Sequence, residues 1–98
     1  MSNRRATLLL RENLVLSQRA FVEIVVWRLP GPARGSTHGF KYRLAYVANG
    51  RCVLRFDNEA DKGDHLHVEN QEVPYTFADL EALQSDVWQA VRRRRREN

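Results

Sequence analysis

A single segment near the C-terminus repeats apolar residues at helical spacing, and it limits the fold more than any other feature of the chain. Its apolar positions recur every three or four residues: Phe77, Leu80, Leu83, Val87, Trp88 and Val91. The preceding segments mix apolar and polar residues at strand-like spacing. Because one helix covers only one face of a sheet, the sequence predicts an α+β fold. We expect an antiparallel sheet of four to five strands built from hairpins, with one face packed by a single C-terminal helix.

Breaks in the strand-like pattern divide the predicted sheet into two hairpins and two shorter strands. The strands are predicted over residues 6–16, 20–29, 40–47, 51–57, 65–68 and 72–75. Thr76 is followed three residues later by Asp79, and this near capping box predicts that the helix begins at Thr76. The second strand is apolar on both faces. Since the helix covers one of them, the other face is predicted to contact a partner or a second copy of the chain, giving a homodimer.

The register of the second hairpin depends on the length of its loop. A three-residue loop, Ala48 to Gly50, pairs Tyr42 with Phe56 and keeps the apolar side chains on one face. This register also directs Cys52 inward. On the other face it sets Arg43 beside Arg55, and two adjacent guanidinium groups predict a carboxylate or phosphate between them.

The charge of the chain is concentrated at its C-terminal end. The formal net charge is +4, but the run Arg92–Arg96 supplies five basic residues, and residues 1–91 hold eleven basic and eleven acidic residues. We therefore predict one α+β domain over residues 1–91 and a basic tail over residues 92–98. Because its five like charges repel one another, Arg92–Arg96 is expected to fray or extend from the helix end rather than pack. A neutral domain also argues against a broad basic face for nucleic acid.

Cysteine and hydropathy exclude several classes of protein. Cys52 is the one cysteine in 98 residues, so the chain has neither an internal disulfide framework nor a cysteine-based zinc cluster. The longest uncharged apolar stretch is far too short to span a bilayer. These features predict a cytoplasmic protein without a membrane segment, and the residues indicate no cofactor.

One polar segment, residues 55–67, concentrates the residues that could perform catalysis. In an extended strand His65 and His67 leave the same face about 7 Å apart, and paired imidazoles can act as general acid and base. Arg43 and Arg55 are predicted to stabilise charge on a phosphorane, and Asp57 to orient a histidine or Lys41. The predicted substrate-binding residues are Lys41, Arg34 and Lys62.

Four blocks of this sequence resemble the TumE-type toxin family. They are Phe40–Val47, Val53–Asn58, Lys62–His67 and Glu72–Phe77, and the similarity runs from about Phe21 to Trp88. In that family a basic residue often lies between the two histidines, where this chain has Leu66. The resemblance implies the toxin of a toxin–antitoxin module, encoded beside a helix-turn-helix antitoxin. From the residues and from how such toxins commonly act, we predict a metal-independent endoribonuclease that uses RNA as its substrate.

Two other functions are compatible with the same residues. The first is a non-catalytic module that binds protein or nucleic acid through the apolar sheet face and the arginine-rich tail. The second is a metal-dependent nuclease whose ligands would be His65, His67, Asp57 and Asp64.

Overall fold

The computed structural model describes residues 6–31, 38–59 and 63–97. Within these residues a six-stranded antiparallel sheet is followed by one helix, and each strand pairs with the next along the chain. The elements are β1 (Thr7–Ser17), β2 (Ala20–Arg28), β3 (Phe40–Ala48), β4 (Arg51–Glu59), β5 (Gly63–Val68), β6 (Gln71–Pro74) and α1 (Leu80–Glu97). The predicted α+β class is confirmed, with six strands rather than four to five because both short segments after β4 pair with their neighbours.

The hydrophobic core lies between α1 and one face of the sheet, here called the helix face. Leu83, Val87 and Val91 of α1 are almost completely buried against alternate residues of the central strands, such as Ile24 and Leu44. The other face, here called the open face, has no helix over it within the described residues. It carries the polar residues of the candidate site.

The helix begins later than the sequence pattern predicts. Its first residue is Leu80, and Asp79 Oδ1 accepts a hydrogen bond from the Ala82 backbone N–H at 2.7 Å, so Asp79 rather than Thr76 is the N-cap. Phe77 therefore precedes the helix, and its ring stacks on His38 with centroids 3.9 Å apart. A carboxylate accepts hydrogen bonds from the unpaired N–H groups of the first turn better than the Thr76 hydroxyl does. This explains why the helix begins at Leu80.

The turn between β3 and β4 has two residues, and the predicted three-residue loop is wrong. Asn49 and Gly50 both have positive φ angles, 55° and 75°, as a type I′ turn requires. Ala48 pairs with Arg51 and Val47 with Cys52, but a bulge then shifts the register so that Tyr46 pairs with Leu54. The bulge keeps the predicted apolar side chains on the helix face, because it restores the alternation that a two-residue turn alone would invert.

This register changes several predicted neighbours, and Phe56 pairs with Leu44 rather than with Tyr42. Arg43 pairs with Asp57, and Arg55 pairs with Ala45, so the two arginines do not face each other as predicted. Cys52 precedes the bulge and is exposed rather than inward-facing. The side chain that enters the core at this point is Val53.

The arginine run continues the helix instead of fraying. α1 extends through residue 97, and Arg94 donates a hydrogen bond to Glu69 in the turn before β6. Basic side chains interact favourably with the C-terminal end of a helix, and this offsets part of their mutual repulsion. The hydrogen bond from Arg94 lowers the pKa of Glu69. The contribution of this pair to stability is therefore present at neutral pH and is lost as the pH falls through that lowered pKa.

Two tyrosine–carboxylate hydrogen bonds lie on the helix face, and one of them attaches the segment before α1 to the helix. Tyr42 donates its hydroxyl hydrogen to Asp64 Oδ1 at 2.6 Å, and His38 Nε2 lies 2.8 Å from the same oxygen. Tyr75 donates in the same way to Asp86 of α1 at 2.6 Å. Burial raises the pKa of both tyrosines, and the hydrogen bonds to the two carboxylates raise it further.

We expect the free energy of unfolding to fall as the pH rises above about 10, the ordinary pKa of tyrosine. In that range the unfolded chain releases protons that the folded protein still holds on Tyr42 and Tyr75, so alkali favours unfolding. Urea unfolding of the wild type between pH 7 and about 11 measures the effect. Tyr42→Phe should be less stable by about 1.5–3 kcal/mol at neutral pH, with a shallower alkaline decline. An unchanged decline in that variant would contradict the assignment to Tyr42.

Candidate functional site

Strand pairing brings four of the predicted catalytic residues together with Glu72 on the open face. Asp57 pairs with His65 and Arg55 with His67 across β4 and β5, and His67 pairs with Glu72 across β5 and β6. Directly paired residues point to the same side of a sheet, so all five side chains share one face. The prediction that the two histidines share a face is confirmed, and their ring centroids lie 4.7 Å apart.

Asp57 lies between two basic side chains. Its Oδ1 is 2.6 Å from His65 Nε2, and its Oδ2 is 2.8 Å from Arg55 Nε. The side chains of Asp57 and His65 are 9% and 6% exposed, whereas that of Arg55 is 29% exposed. A carboxylate this deeply buried is stable only with such counter-charges, so these contacts hold the site in place.

Both nitrogens of the His65 ring face acceptors. Nε2 lies against Asp57 Oδ1, and Nδ1 lies 3.2 Å from the carbonyl oxygen of Gly63, the first residue of β5. A neutral imidazole carries one N–H, so its tautomer decides which of the two acceptors faces a donor.

His67 and Glu72 form the more accessible half of the site. The His67 side chain is 27% exposed and that of Glu72 is 49% exposed, and His67 Nε2 lies 3.4 Å from Glu72 Oε2. The same oxygen lies 3.4 Å from His65 Nε2. Thus one carboxylate is close to both imidazoles, and it faces solvent.

The close contacts in this cluster are ionic rather than aligned hydrogen bonds. Four of its polar atoms are buried without an aligned hydrogen-bond partner among the described residues: Arg55 Nε, Asp57 Oδ1, His65 Nε2 and His67 Nε2. The distance of 2.8 Å between Arg55 Nε and Asp57 Oδ2 still implies strong attraction between opposite charges, which needs no alignment. Buried polar atoms without aligned partners are uncommon, and a functional site is one of the few places where they occur.

Two of the remaining predicted site residues, Lys41 and Arg43, lie at exposed positions of β3. Arg43 is on the open face, where its Nη1 donates to Glu23 Oε1 at 2.5 Å; because Arg55 is not beside it, the prediction of an anion between the two arginines is wrong. Lys41 and Arg43 line a concave surface that also includes Trp27, and the volume of this concavity is about 570 Å³. Arg34 and Lys62 lie outside the described residues.

Asp64 does not join the histidine pair. Its Oδ1 accepts the Tyr42 hydroxyl and contacts His38, both on the helix face. The set that could hold a metal ion among the described residues is instead Asp57, His65 and His67, whose ligand atoms all lie within 4.8 Å of one another. The predicted ligand set is therefore corrected at Asp64, since alternate residues of β5 point to opposite faces.

Glu72 is the site residue that the sequence reasoning missed. It lies opposite His67 because the turn between β5 and β6 contains only Glu69 and Asn70. Glu69 adopts a positive φ of 54° in that turn. Pairing the two short predicted strands through a two-residue turn gives this contact, so the signal was present in their spacing.

Comparisons with known proteins agree with the resemblance noted from the sequence blocks. The chain matches the family model described as Toxin TumE over residues 4–95. Neither curated proteins nor solved structures give a significant match. Among the described residues, no helix is both long and apolar enough to cross a membrane. A match over nearly the whole length establishes the family, and it includes the strands that carry Asp57, His65, His67 and Glu72: the chain belongs to the TumE toxin family.

Proposed function

We propose that this toxin is a metal-independent endoribonuclease whose active site is the open-face cluster of Arg55, Asp57, His65, His67 and Glu72. The proposal rests mainly on one observation. An accessible imidazole, on His67, lies 3.4 Å from an accessible carboxylate, on Glu72, beside a buried and charge-paired second histidine. An acid and a base at such a distance can serve the two proton transfers of RNA cleavage.

Exposure supports distinct roles for these groups. The Glu72 carboxylate takes the proton from a ribose 2′-hydroxyl, and the 2′-oxygen attacks the adjacent phosphorus. Protonated His67 gives its proton to the 5′-oxygen as the P–O5′ bond breaks. The products are a 2′,3′-cyclic phosphate and a free 5′-hydroxyl. Because the nucleophile comes from the ribose, this reaction needs no activated water and distinguishes RNA from DNA.

Within this proposal His65 acts through its neighbours. Its side chain is 6% exposed, so it is a positioning residue rather than the direct proton donor, together with Asp57. The ring of His65 meets that of His67 edge-on at 80° and so limits how His67 can turn. The Arg55 guanidinium, 29% exposed and anchored on Asp57, supplies positive charge to the phosphorane.

The concave surface beside the cluster supports RNA binding. Lys41 and Arg43 are exposed and can contact phosphates, while the half-buried Trp27 ring offers a surface on which a base can stack. Arg34 and Lys62 stay predicted substrate contacts. Membership of a toxin family implies a cognate antitoxin. We propose that this antitoxin is a helix-turn-helix protein encoded beside the toxin, and that the toxin acts on RNA in the cytoplasm.

We expect the purified protein to cleave single-stranded RNA in the presence of excess EDTA at the same rate as without it. The cleaved 5′ fragments should end in a 2′,3′-cyclic phosphate, and DNA of the same sequence should stay intact. Gel analysis of labelled RNA and DNA measures cleavage with and without EDTA, and enzymatic treatment of the fragments identifies the new termini. Cleavage that EDTA abolishes and Mg²⁺ restores would favour the metal-dependent nuclease instead.

A non-catalytic binding module is the second candidate function. It is supported by three apolar side chains that remain partly exposed on the open face of β2: Phe21, Val25 and Trp27. Growth arrest without any RNA cleavage, unaffected by removal of His67, would favour this alternative over the nuclease.

A further inference from the structure

We infer that Asp57, His65, His67 and Glu72 bind a divalent transition-metal ion such as Zn²⁺, and that the bound ion switches the toxin off. The regulatory part of this inference rests on the proposed nuclease function, while the binding site itself does not.

The first argument is the convergence of unsatisfied donor atoms. Asp57 Oδ1, His65 Nε2 and His67 Nε2 all lie within 4.8 Å of one another. The same three atoms are buried without an aligned hydrogen-bond partner among the described residues. The side chains of Asp57 and His65 are more than nine-tenths buried. Three donor atoms that converge in this way, none with an aligned hydrogen bond and two on side chains more than nine-tenths buried, form a site for a ligand rather than a loose acidic cluster.

The second argument is the spacing of Glu72. Its Oε2 lies 3.4 Å from both His65 Nε2 and His67 Nε2. Donor atoms about 2.0–2.2 Å from a tetrahedral zinc ion lie roughly 3.3–3.6 Å from one another, so these two distances already match. The contact of 2.6 Å between His65 and Asp57 must lengthen by less than about 1 Å, as the ion replaces the proton held there.

The surroundings of the four donors also suit a metal ion. His65 Nδ1 faces the Gly63 carbonyl oxygen at 3.2 Å, the outer contact that metal-bound imidazoles usually make. Arg55 contacts the other oxygen of Asp57 and fixes the carboxylate. Two carboxylates and two neutral imidazoles match the charge of a divalent ion, and imidazole nitrogen favours zinc-like metals over Mg²⁺ or Ca²⁺.

The number of protein ligands indicates inhibition rather than catalysis. Four protein donors complete a tetrahedral shell, whereas catalytic zinc sites keep one position open for water or substrate. The ion would also occupy His67 Nε2 and Glu72 Oε2, the two atoms that the proposed cleavage needs for proton transfer. Metal binding and RNA cleavage are therefore expected to exclude each other.

Binding is tested with Co²⁺ as the probe, because its visible absorption distinguishes four-coordinate from six-coordinate sites. The purified full-length protein should bind one Co²⁺ with a four-coordinate spectrum, and Zn²⁺ should displace it. His67→Ala and Glu72→Gln should each weaken binding by roughly tenfold or more, since each loses a ligand at an accessible position. Cys52→Ser and His38→Gln are the controls, because they remove other potential ligands outside the cluster, and they should bind as the wild type does.

Several outcomes would overturn the site. These are the absence of stoichiometric binding, a six-coordinate spectrum, or binding that Cys52→Ser abolishes while Glu72→Gln retains it. The regulatory claim is tested by adding Zn²⁺ to the cleavage assay, where it should suppress cleavage and a chelator should restore it. Faster cleavage with Zn²⁺ would overturn the switch. If the protein binds Co²⁺ as expected but never cleaves RNA, the proposed nuclease function fails while the metal site stands.

Discussion

The His67→Ala variant should lose RNA cleavage by at least about a hundredfold and no longer arrest growth, while remaining folded. The proposed chemistry places the leaving-group proton on this imidazole, and alanine supplies no replacement. The effect on stability should be less than about 1 kcal/mol, because the side chain is partly exposed and its Nε2 has no aligned hydrogen bond to lose. Cleavage rates and urea unfolding of the same preparation measure the two effects.

The matched control for this variant is Gln89→Ala. Gln89 lies on an exposed part of α1, and its side chain bonds only Ser85 Oγ at 3.1 Å among the contacts described. It should retain wild-type cleavage and stability. If His67→Ala cleaves RNA as fast as this control, then His67 is not the general acid. If His67→Ala instead unfolds at a lower urea concentration, and its activity falls only as much as its folded fraction does, then His67 is a structural residue.

The fold followed from the sequence because apolar periodicity constrains a small protein strongly. The single apolar stripe in α1 required a sheet with one face packed by the helix, and the described residues have this arrangement. The register of β3 against β4 did not follow. A bulge next to Val53 adds one residue to the strand, and a bulge leaves no periodic trace in a single sequence. Because of this one extra residue, Arg43 pairs with Asp57 instead of Arg55.

The candidate site was predictable in its residue types but not in its burial. The spacing of His65 and His67 correctly placed both on one face, since side chains alternate along a strand. The polar residues before them in the segment 55–67 gave no sign that either histidine is buried. In the structure His65 is 5% exposed, because β4 and β6 flank β5 and bring Asp57 and Glu72 against it. Contacts between strands determine such burial, and a local pattern cannot show them.

The Asp57→Ala variant should lose about 3–5 kcal/mol of unfolding free energy, the largest loss of stability that we expect from one substitution in this site. Asp57 is the buried counter-charge of both Arg55 and His65. Without it the guanidinium of Arg55, which cannot lose its charge, has no counter-charge. A domain of this size has a total stability of about 5–15 kcal/mol, so the variant should be partly unfolded at modest urea concentrations.

The control is Glu23→Gln, which removes a carboxylate from another ion pair on the same face. Glu23 and Arg43 are 42% and 47% exposed, so their pair is screened by water and its loss should cost less than about 1 kcal/mol. The double variant Asp57→Ala with Arg55→Ala should be more stable than the sum of the two single losses predicts, by roughly 0.5–3 kcal/mol, because it leaves no unpaired guanidinium. If Asp57→Ala is no less stable than Glu23→Gln, the buried charges do not hold the site together. The positioning role proposed for Asp57 and His65 would then lose its physical basis, whatever happens to activity.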